Sequence, residues 1–140
     1  MKKNTDDLRQ ELMETPDLDR FLQNNDGEFR TQELTETITL LCKEKKLSKA
    51  ALAKHSCISE VYLHQILSGK RFPSRDRLLC LCFGLGLDQQ ETEALLKLAG
   101  FAQLYPKEKR DAVILHGLSH GTPLMDVNTT LFSMELKTLF

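Results

Sequence analysis

One short stretch, SEVYLHQILSGKRFPS, limits the fold more than any other, because it starts a helix, stops it and starts another. Ser59 is a favoured residue at a helix start, and Gly69 is favoured just beyond a helix end. Leu63 and Ile66 lie three positions apart, so they share one face of the helix between these two signals. Ser74, next to a proline, repeats the start signal. The stretch therefore predicts a short helix that is directly followed by another helix.

The same signals recur along the chain, whereas no segment alternates apolar and polar residues over the length of a strand. Asp88 and Glu91 have the spacing of a capping box. We expect Pro106 in the first turn of a helix over KEKRDAVILHGL, and Thr122 with Pro123 at the start of the last helix. The sequence therefore predicts an all-α, compact multi-helix domain of seven or more short helices.

Charge is unevenly distributed, although the whole chain has a net charge of −1. Residues 1–36 carry five lysines and arginines against ten acids, and residues 78–140 carry five against seven. Residues 37–77 carry nine against three, a net charge of +6. Because phosphate binding needs a local positive face rather than a basic chain, the middle segment is suited to nucleic acid.

Several function classes lack their sequence signals. No apolar run reaches the roughly 18 residues that span a bilayer. The N-terminus MKKNTDDLRQ has charges where a signal peptide needs an apolar core, so we expect a cytoplasmic protein without a membrane segment. Motifs such as a glycine-rich phosphate loop, Gly-x-Ser-x-Gly or His-Glu-x-x-His are absent from the sequence, and we expect neither an enzyme nor a bound cofactor.

The cysteines show no metal-site spacing, since no two form a Cys-x-x-Cys pair. The four are Cys42, Cys57, Cys80 and Cys82. An alternative metal site made of His55, Cys57 and His64 has no ligand spacing to support it. We therefore expect buried free thiols in a reducing compartment, and no metal.

Residues 48–69 have the layout of a helix-turn-helix motif. A short helix with Ala50, Ala51 and Ala53 precedes the turn HSCIS, and a second helix follows over about 59–68. The small side chains let the two helices cross closely, and the major groove of B-DNA admits one α-helix. In such motifs the second helix meets the base edges while the first crosses the backbone.

The segment LSKAALAKHSCISEVYLHQILSGKRFPS resembles the phage-repressor (Cro/repressor, XRE-type) helix-turn-helix family. The shared features are Leu52 with Ala53, the entry to the second helix at Ile58 and Ser59, the SGKRFPS exit, and the apolar helix after it. The resemblance covers residues 34–87 and implies a five-helix DNA-binding core with additional C-terminal helices. A weaker resemblance to the C-terminal part of a bacterial subgroup of such regulators runs from RDRLL to LHGL.

The resemblance implies that the second helix offers five side chains to the bases: Glu60, Val61, Tyr62, His64 and Gln65. Gln65 is the main candidate, because an amide can pair bidentately with adenine. Glu60 can accept from cytosine N4 but repels phosphate, and Val61 is limited to an apolar contact such as a thymine methyl. Tyr62 lies at the edge of this set.

The resemblance also implies phosphate contacts, which supply affinity without reading sequence. The residues are Lys49, Ser59, Lys70, Arg71 and Arg75, with Lys46 further out. Two positions depart from the family pattern. Cys57 occupies a turn position where the family usually has glycine, and a side chain pays there for a positive φ. Leu67 occupies a position that is often acidic, so a salt bridge typical of the family is expected to be missing.

We expect three parts: an acidic helical extension over 1–30, the helix-turn-helix domain over 31–87, and a helical extension over 88–140. The last part has an apolar face near its end, which serves either as a dimer or partner surface or as part of the core. Its residues are Leu124, Val127, Leu131 and Phe132. A homodimer on two half-sites about one DNA turn apart is the expected binding mode.

The expected function is a sequence-specific transcriptional regulator that binds double-stranded DNA. The alternative is a helical protein-interaction adaptor that keeps the repressor-like fold without strong DNA binding and engages a protein partner through the C-terminal helices. Glu60 and Val61 favour the adaptor, because an acid and an aliphatic side chain are poor contacts for a phosphate backbone.

Overall fold

Residues 3–140, the part that the computed structural model describes, form nine short α-helices, six of which begin with a side-chain cap. The helices are α1 (Thr5–Glu14), α2 (Leu18–Asn24), α3 (Arg30–Glu44), α4 (Lys49–His55), α5 (Glu60–Leu67), α6 (Arg75–Gly84), α7 (Gln89–Ala99), α8 (Lys109–Ser119) and α9 (Leu124–Ser133). One turn of 3-10 helix, Asp26–Glu28, precedes α3. These residues contain no strand, which confirms the predicted all-α class. The first two residues of the predicted extension 1–30 lie outside the described part.

Serine caps begin three consecutive helices in the middle of the chain. Ser48, Ser59 and Ser74 each accept a hydrogen bond at the side-chain oxygen from a backbone N–H three residues later, at 3.0, 3.0 and 3.2 Å. The predicted capping box of Asp88 and Glu91 begins α7, with both of its hydrogen bonds present. Each cap satisfies an N–H group that the helix itself leaves without a partner. The predicted helix starts at Ser59 and Ser74 are therefore confirmed.

Two other helix starts were predicted wrongly. Pro106 lies before α8, not in its first turn, because a turn closed by the Glu108 N–H and the Tyr105 carbonyl (3.0 Å) delays the helix to Lys109. Thr122 does not cap α9. Its N–H donates to the Gly117 carbonyl at 2.9 Å and so closes the end of α8 instead.

The core is one continuous apolar cluster in which α6 lies centrally, packed against α4, α7 and α9. The cluster runs from Leu34 in α3 to Leu139 near the C-terminus. Because α6 has neighbours on most sides, six of its ten residues are buried: Leu78, Leu79, Cys80, Leu81, Cys82 and Gly84. The C-terminal helices therefore share a core with the helices of the middle segment. The division at 31–87 and 88–140 stays a prediction.

The predicted apolar face of α9 is mostly core. Leu124, Val127 and Leu131 are buried, and α9 packs against α8. The two helices approach closely at Gly117, where a Cβ atom would lie 2.5 Å from Val127 Cγ2. Phe132 points outward and is 77% exposed. The four residues therefore do not form one partner surface, because three of them are needed inside the chain.

Two arginine–aspartate pairs tie the start of α6 to the start of α8. Arg75 donates to both carboxylate oxygens of Asp111, at 3.3 and 3.2 Å, and Arg110 donates to Asp76 at 3.0 Å. Both arginines also donate to backbone carbonyls, which belong to Ala102, Gln103, Lys137 and Thr138. We call these the crossed Arg–Asp pairs. They fix the chain that leaves the predicted DNA-facing segment to the C-terminal helices.

The four cysteines are free thiols. Burial raises the pKa of Cys82 to about 12 and that of Cys80 to about 11, so both are protonated at neutral pH. Within residues 3–140 no group of three or more metal-ligating side chains could hold an ion. No helix in this range has the length and apolar character to cross a membrane.

Candidate nucleic-acid interface

The turn between α4 and α5 is held by two backbone hydrogen bonds of a Schellman motif. The Cys57 N–H donates to the Lys54 carbonyl at 3.2 Å, and the Ile58 N–H donates to the Ala53 carbonyl at 3.1 Å. This geometry requires a left-handed residue, and Cys57 adopts a φ of 55°. The departure from glycine therefore leaves the left-handed turn in place, at a conformational cost that a glycine would not have.

The same turn rests directly on α6. Ser56 is fully buried, and a Cβ atom added at Gly84 would collide with its Oγ and lie 3.0 Å from its Cβ and backbone N. Only a glycine lets α6 approach the turn so closely. Gly84 thus sets the depth at which the α4–α5 pair sits on the core. No local sequence pattern indicates this contact, because the two residues are far apart in the chain.

The two faces of α5 differ as predicted. Leu63 and Ile66 are buried against the core, which confirms their inward orientation. Glu60, Val61 and His64 are exposed on the opposite side, Val61 at 67%. The start of α5 is thus open to a partner, while its inner face is fixed. A helix presented in this way can enter a groove without disturbing the core.

Gln65 and Tyr62, the remaining predicted base-facing residues, are half-buried under Arg71. The Arg71 Nε donates to Gln65 Oε1 at 3.0 Å, and its backbone N–H donates to the Gln65 carbonyl at 3.1 Å. The Arg71 guanidinium carbon also lies 5.4 Å from the centre of the Tyr62 ring, a cation–π distance. We call these three residues the Gln–Arg–Tyr cluster. It joins two predicted base contacts to one predicted phosphate contact.

The predicted phosphate contacts separate into two groups. Lys49 lies at the first position of α4 and Lys70 just after α5; both are exposed, and neither pairs with a carboxylate in the described part of the chain. Ser59 is exposed, but its hydroxyl oxygen is used as the α5 cap. Arg75 is held in the crossed Arg–Asp pairs, and its side chain is only 23% exposed. The Arg75 guanidinium is therefore bound within the chain and is not counted among the exposed cations of the interface.

The exit from α5 is attached to the core on one side only. Phe72 packs on Phe101 at the end of α7, with ring centroids 6.1 Å apart, and Pro73 is buried. Lys70 and Arg71 lie on the other, exposed side. Leu67, at the position where an acid is common, is half-buried against the core. The exit loop thus has an apolar side that packs on the core and a basic side that is exposed to solvent.

A family model described as a helix-turn-helix domain matches residues 33–95. The matched segment, 63 of the 140 residues, is similar to helix-turn-helix domains. The matched model belongs to the Cro/repressor (XRE-type) clan, and the phage-repressor family itself stays a prediction. The match begins in α3 and ends in α7 and so spans five helices, whereas the range 34–87 of the predicted five-helix core holds four of them, α3–α6. Searches among curated proteins and among solved structures returned no match.

Proposed function

We propose that the protein is a sequence-specific transcriptional regulator that inserts α5 into the major groove of double-stranded DNA. The observation that carries the proposal is the helix-turn-helix domain itself, in which α5 has a buried inner face and an exposed outer face. A domain of this kind implies DNA binding.

The charge around α5 supports phosphate binding. Lys49, at the start of α4, and Lys70, just after α5, are cations that pair with no carboxylate within residues 3–140, and the segment 37–77 has a net charge of +6. Cations that neutralise phosphates release counterions from DNA and supply sequence-independent affinity. In this proposal phosphate contacts position α5, and they come from Lys49, Lys70 and Ser59. Gln65 and His64 meet base edges.

We propose further that the protein acts as a homodimer. Two-fold binding to half-sites about one DNA turn apart is the usual mode of this motif. Beside the apolar core, the C-terminal end exposes three large apolar side chains, Phe132, Met134 and Phe140, which are 77%, 49% and 37% exposed. Phe132→Asp should lower the fraction of dimer in sedimentation, whereas Phe29→Asp, a matched change at an exposed phenylalanine before α3, should not.

Selection of bound sequences from a random duplex library tests the proposed function. The expected result is one enriched motif with two related halves. Gln65→Ala should then weaken binding to the selected site by about 1–3 kcal/mol, because one base contact is lost, and leave binding to unrelated DNA unchanged. Lys107→Ala, a change at an exposed lysine before α8, is the control. Failure to enrich any sequence at low salt would contradict sequence-specific binding.

An adaptor that has lost strong DNA binding is the second candidate. The exposed pair Glu60 and Val61 at the start of α5 favours it, since neither side chain attracts phosphate. Under this alternative, Val61→Lys would create DNA binding where the wild type has none. Under the regulator proposal the wild type already binds, and the same change adds a cation that raises the sequence-independent part of the affinity and steepens its salt dependence.

A further inference from the structure

The Gln–Arg–Tyr cluster changes which base Gln65 is able to read. A free glutamine amide pairs with adenine through two groups, since Oε1 accepts from N6 and Nε2 donates to N7. Here Oε1 already accepts from Arg71 Nε at 3.0 Å. An arginine has donors only, so the oxygen of the amide must face it and the NH₂ group must face away. The arrangement therefore fixes the amide orientation by chemistry.

The cluster keeps several hydrogen-bond donors that have no acceptor within residues 3–140. They are the NH₂ group of Gln65 and the two terminal nitrogens of Arg71, whose guanidinium uses only Nε in this part of the chain. The stack on Tyr62 and the backbone bond to Gln65 hold Arg71 in this position. Gln65 Oε1 keeps one lone pair, but an adenine N6 amino group that approached it would also face the N–H donors of the neighbouring guanidinium. Guanine instead offers two acceptors, O6 and N7, in the major groove.

We propose that Gln65 and Arg71 together form a guanine-reading site, in place of the adenine contact that Gln65 alone would make. Arg71 determines the specificity by engaging one of the two lone pairs of the Gln65 amide oxygen and by adding guanidinium donors beside it. The inference rests on the proposed function, because it requires α5 to lie in the major groove. It goes beyond it by naming the base and the residue that selects it.

Sequence selection with three proteins tests the site: wild type, Arg71→Ala and the neighbouring control Lys70→Ala. The wild type should enrich guanine at one position of each half-site. Arg71→Ala should shift that position towards adenine, because the guanidinium donors that oppose the adenine N6 amino group are then removed. Lys70→Ala should lower overall affinity and keep the guanine. Both changes are at exposed residues, and circular dichroism checks that the variants fold.

A base-analogue experiment separates hydrogen bonding from DNA shape. Replacing the selected guanine by 7-deazaguanine removes N7 and should weaken wild-type binding at least about fivefold. Inosine keeps O6 and N7 and should bind within about twofold of guanine, since it lacks only a minor-groove group. In Arg71→Ala the loss caused by 7-deazaguanine should shrink.

The outcomes distinguish this inference from the proposed function. No enriched sequence overturns both. An enriched site that carries adenine opposite Gln65 in the wild type overturns the guanine site and leaves the regulator proposal standing. An unchanged guanine preference in Arg71→Ala also overturns it, because the selection would then not depend on Arg71.

Discussion

The neighbouring helices α5 and α6 begin in the same way and end in different surroundings. Each starts with a serine cap of similar geometry, at Ser59 and Ser74. Yet α5 buries two of its eight residues, whereas α6 buries six of ten. The cap sets where a helix begins, and the packing of its neighbours sets how much of it is covered. The difference makes α6 a support and α5 a presented surface.

Two arginines four positions apart show the same contrast. Arg71, just after α5, is exposed, and its side chain contacts Gln65 and Tyr62 of α5. Arg75, at the start of α6, donates to Asp111 and to two backbone carbonyls from the segment between α7 and α8. The chain between them passes from a surface that is open to a partner to one that is closed within the chain. Substitutions in α6 should therefore mainly lower stability, and substitutions in α5 should mainly weaken binding.

The largest effect is expected for Gly84→Ala in α6. The added Cβ would collide with the Ser56 side chain of the buried turn, so α6 and the α4–α5 pair must separate. We expect a loss of about 3 kcal/mol in the free energy of unfolding, as for overpacked cores. Urea denaturation followed by circular dichroism measures it.

Gly27→Ala is the control for this change. A Cβ atom at Gly27 meets nothing within 4 Å, so the substitution should change stability by less than about 0.5 kcal/mol. Equal stabilities of the two variants would show that the turn does not rest on α6 as described.

The second effect in size is expected for Arg75→Ala. Its removal leaves the largely buried Asp111 carboxylate without its cation, at a cost of about 2 kcal/mol in the free energy of unfolding. The matched variant Arg71→Ala should cost less than about 0.5 kcal/mol, because that side chain is exposed. Equal losses of stability in the two variants would contradict the difference between a buried pair at α6 and an exposed side chain at α5.

A smaller effect is expected in the turn before α5. Cys57 holds a φ of 55°, which glycine adopts without strain. Cys57→Gly should therefore be more stable than Cys57→Ala by about 1 kcal/mol, because both variants lose the sulfur and only one keeps the strain. Glu135, with a φ of 58°, provides the same glycine–alanine pair away from α5. A glycine variant less stable than the alanine variant at residue 57 would contradict the left-handed turn.

Local signals could be predicted from the sequence, and distant contacts could not. The caps at Ser59, Ser74 and Asp88 and the inward pair Leu63 and Ile66 are readable because each depends on residues within one or two turns. The misplaced starts of α8 and α9 also have local causes, but they depend on backbone hydrogen bonds that residue type does not reveal.

The different roles of the two arginines could not be predicted from the sequence. Arg75 carries the same charge as Arg71, and nothing in its neighbourhood in the chain indicates that its partner is Asp111, 36 positions away. The contact between Gly84 and Ser56 is equally invisible, because it depends on how two helices meet. The candidate site was therefore predicted as a set of residues, while its division into anchored and free cations was not.

We propose that the exposed cations Lys49 and Lys70 bind the phosphates of a DNA backbone. The most direct test is the salt dependence of the association constant on duplex DNA for wild type, Lys70→Ala, Lys49→Ala and the control Lys107→Ala. Plotted logarithmically, the wild type should weaken steeply as salt rises, and each of the first two variants should flatten the slope by about one unit. Lys107→Ala should leave the slope unchanged. A flat wild-type slope, or one that neither Lys70 nor Lys49 alters, would contradict the account.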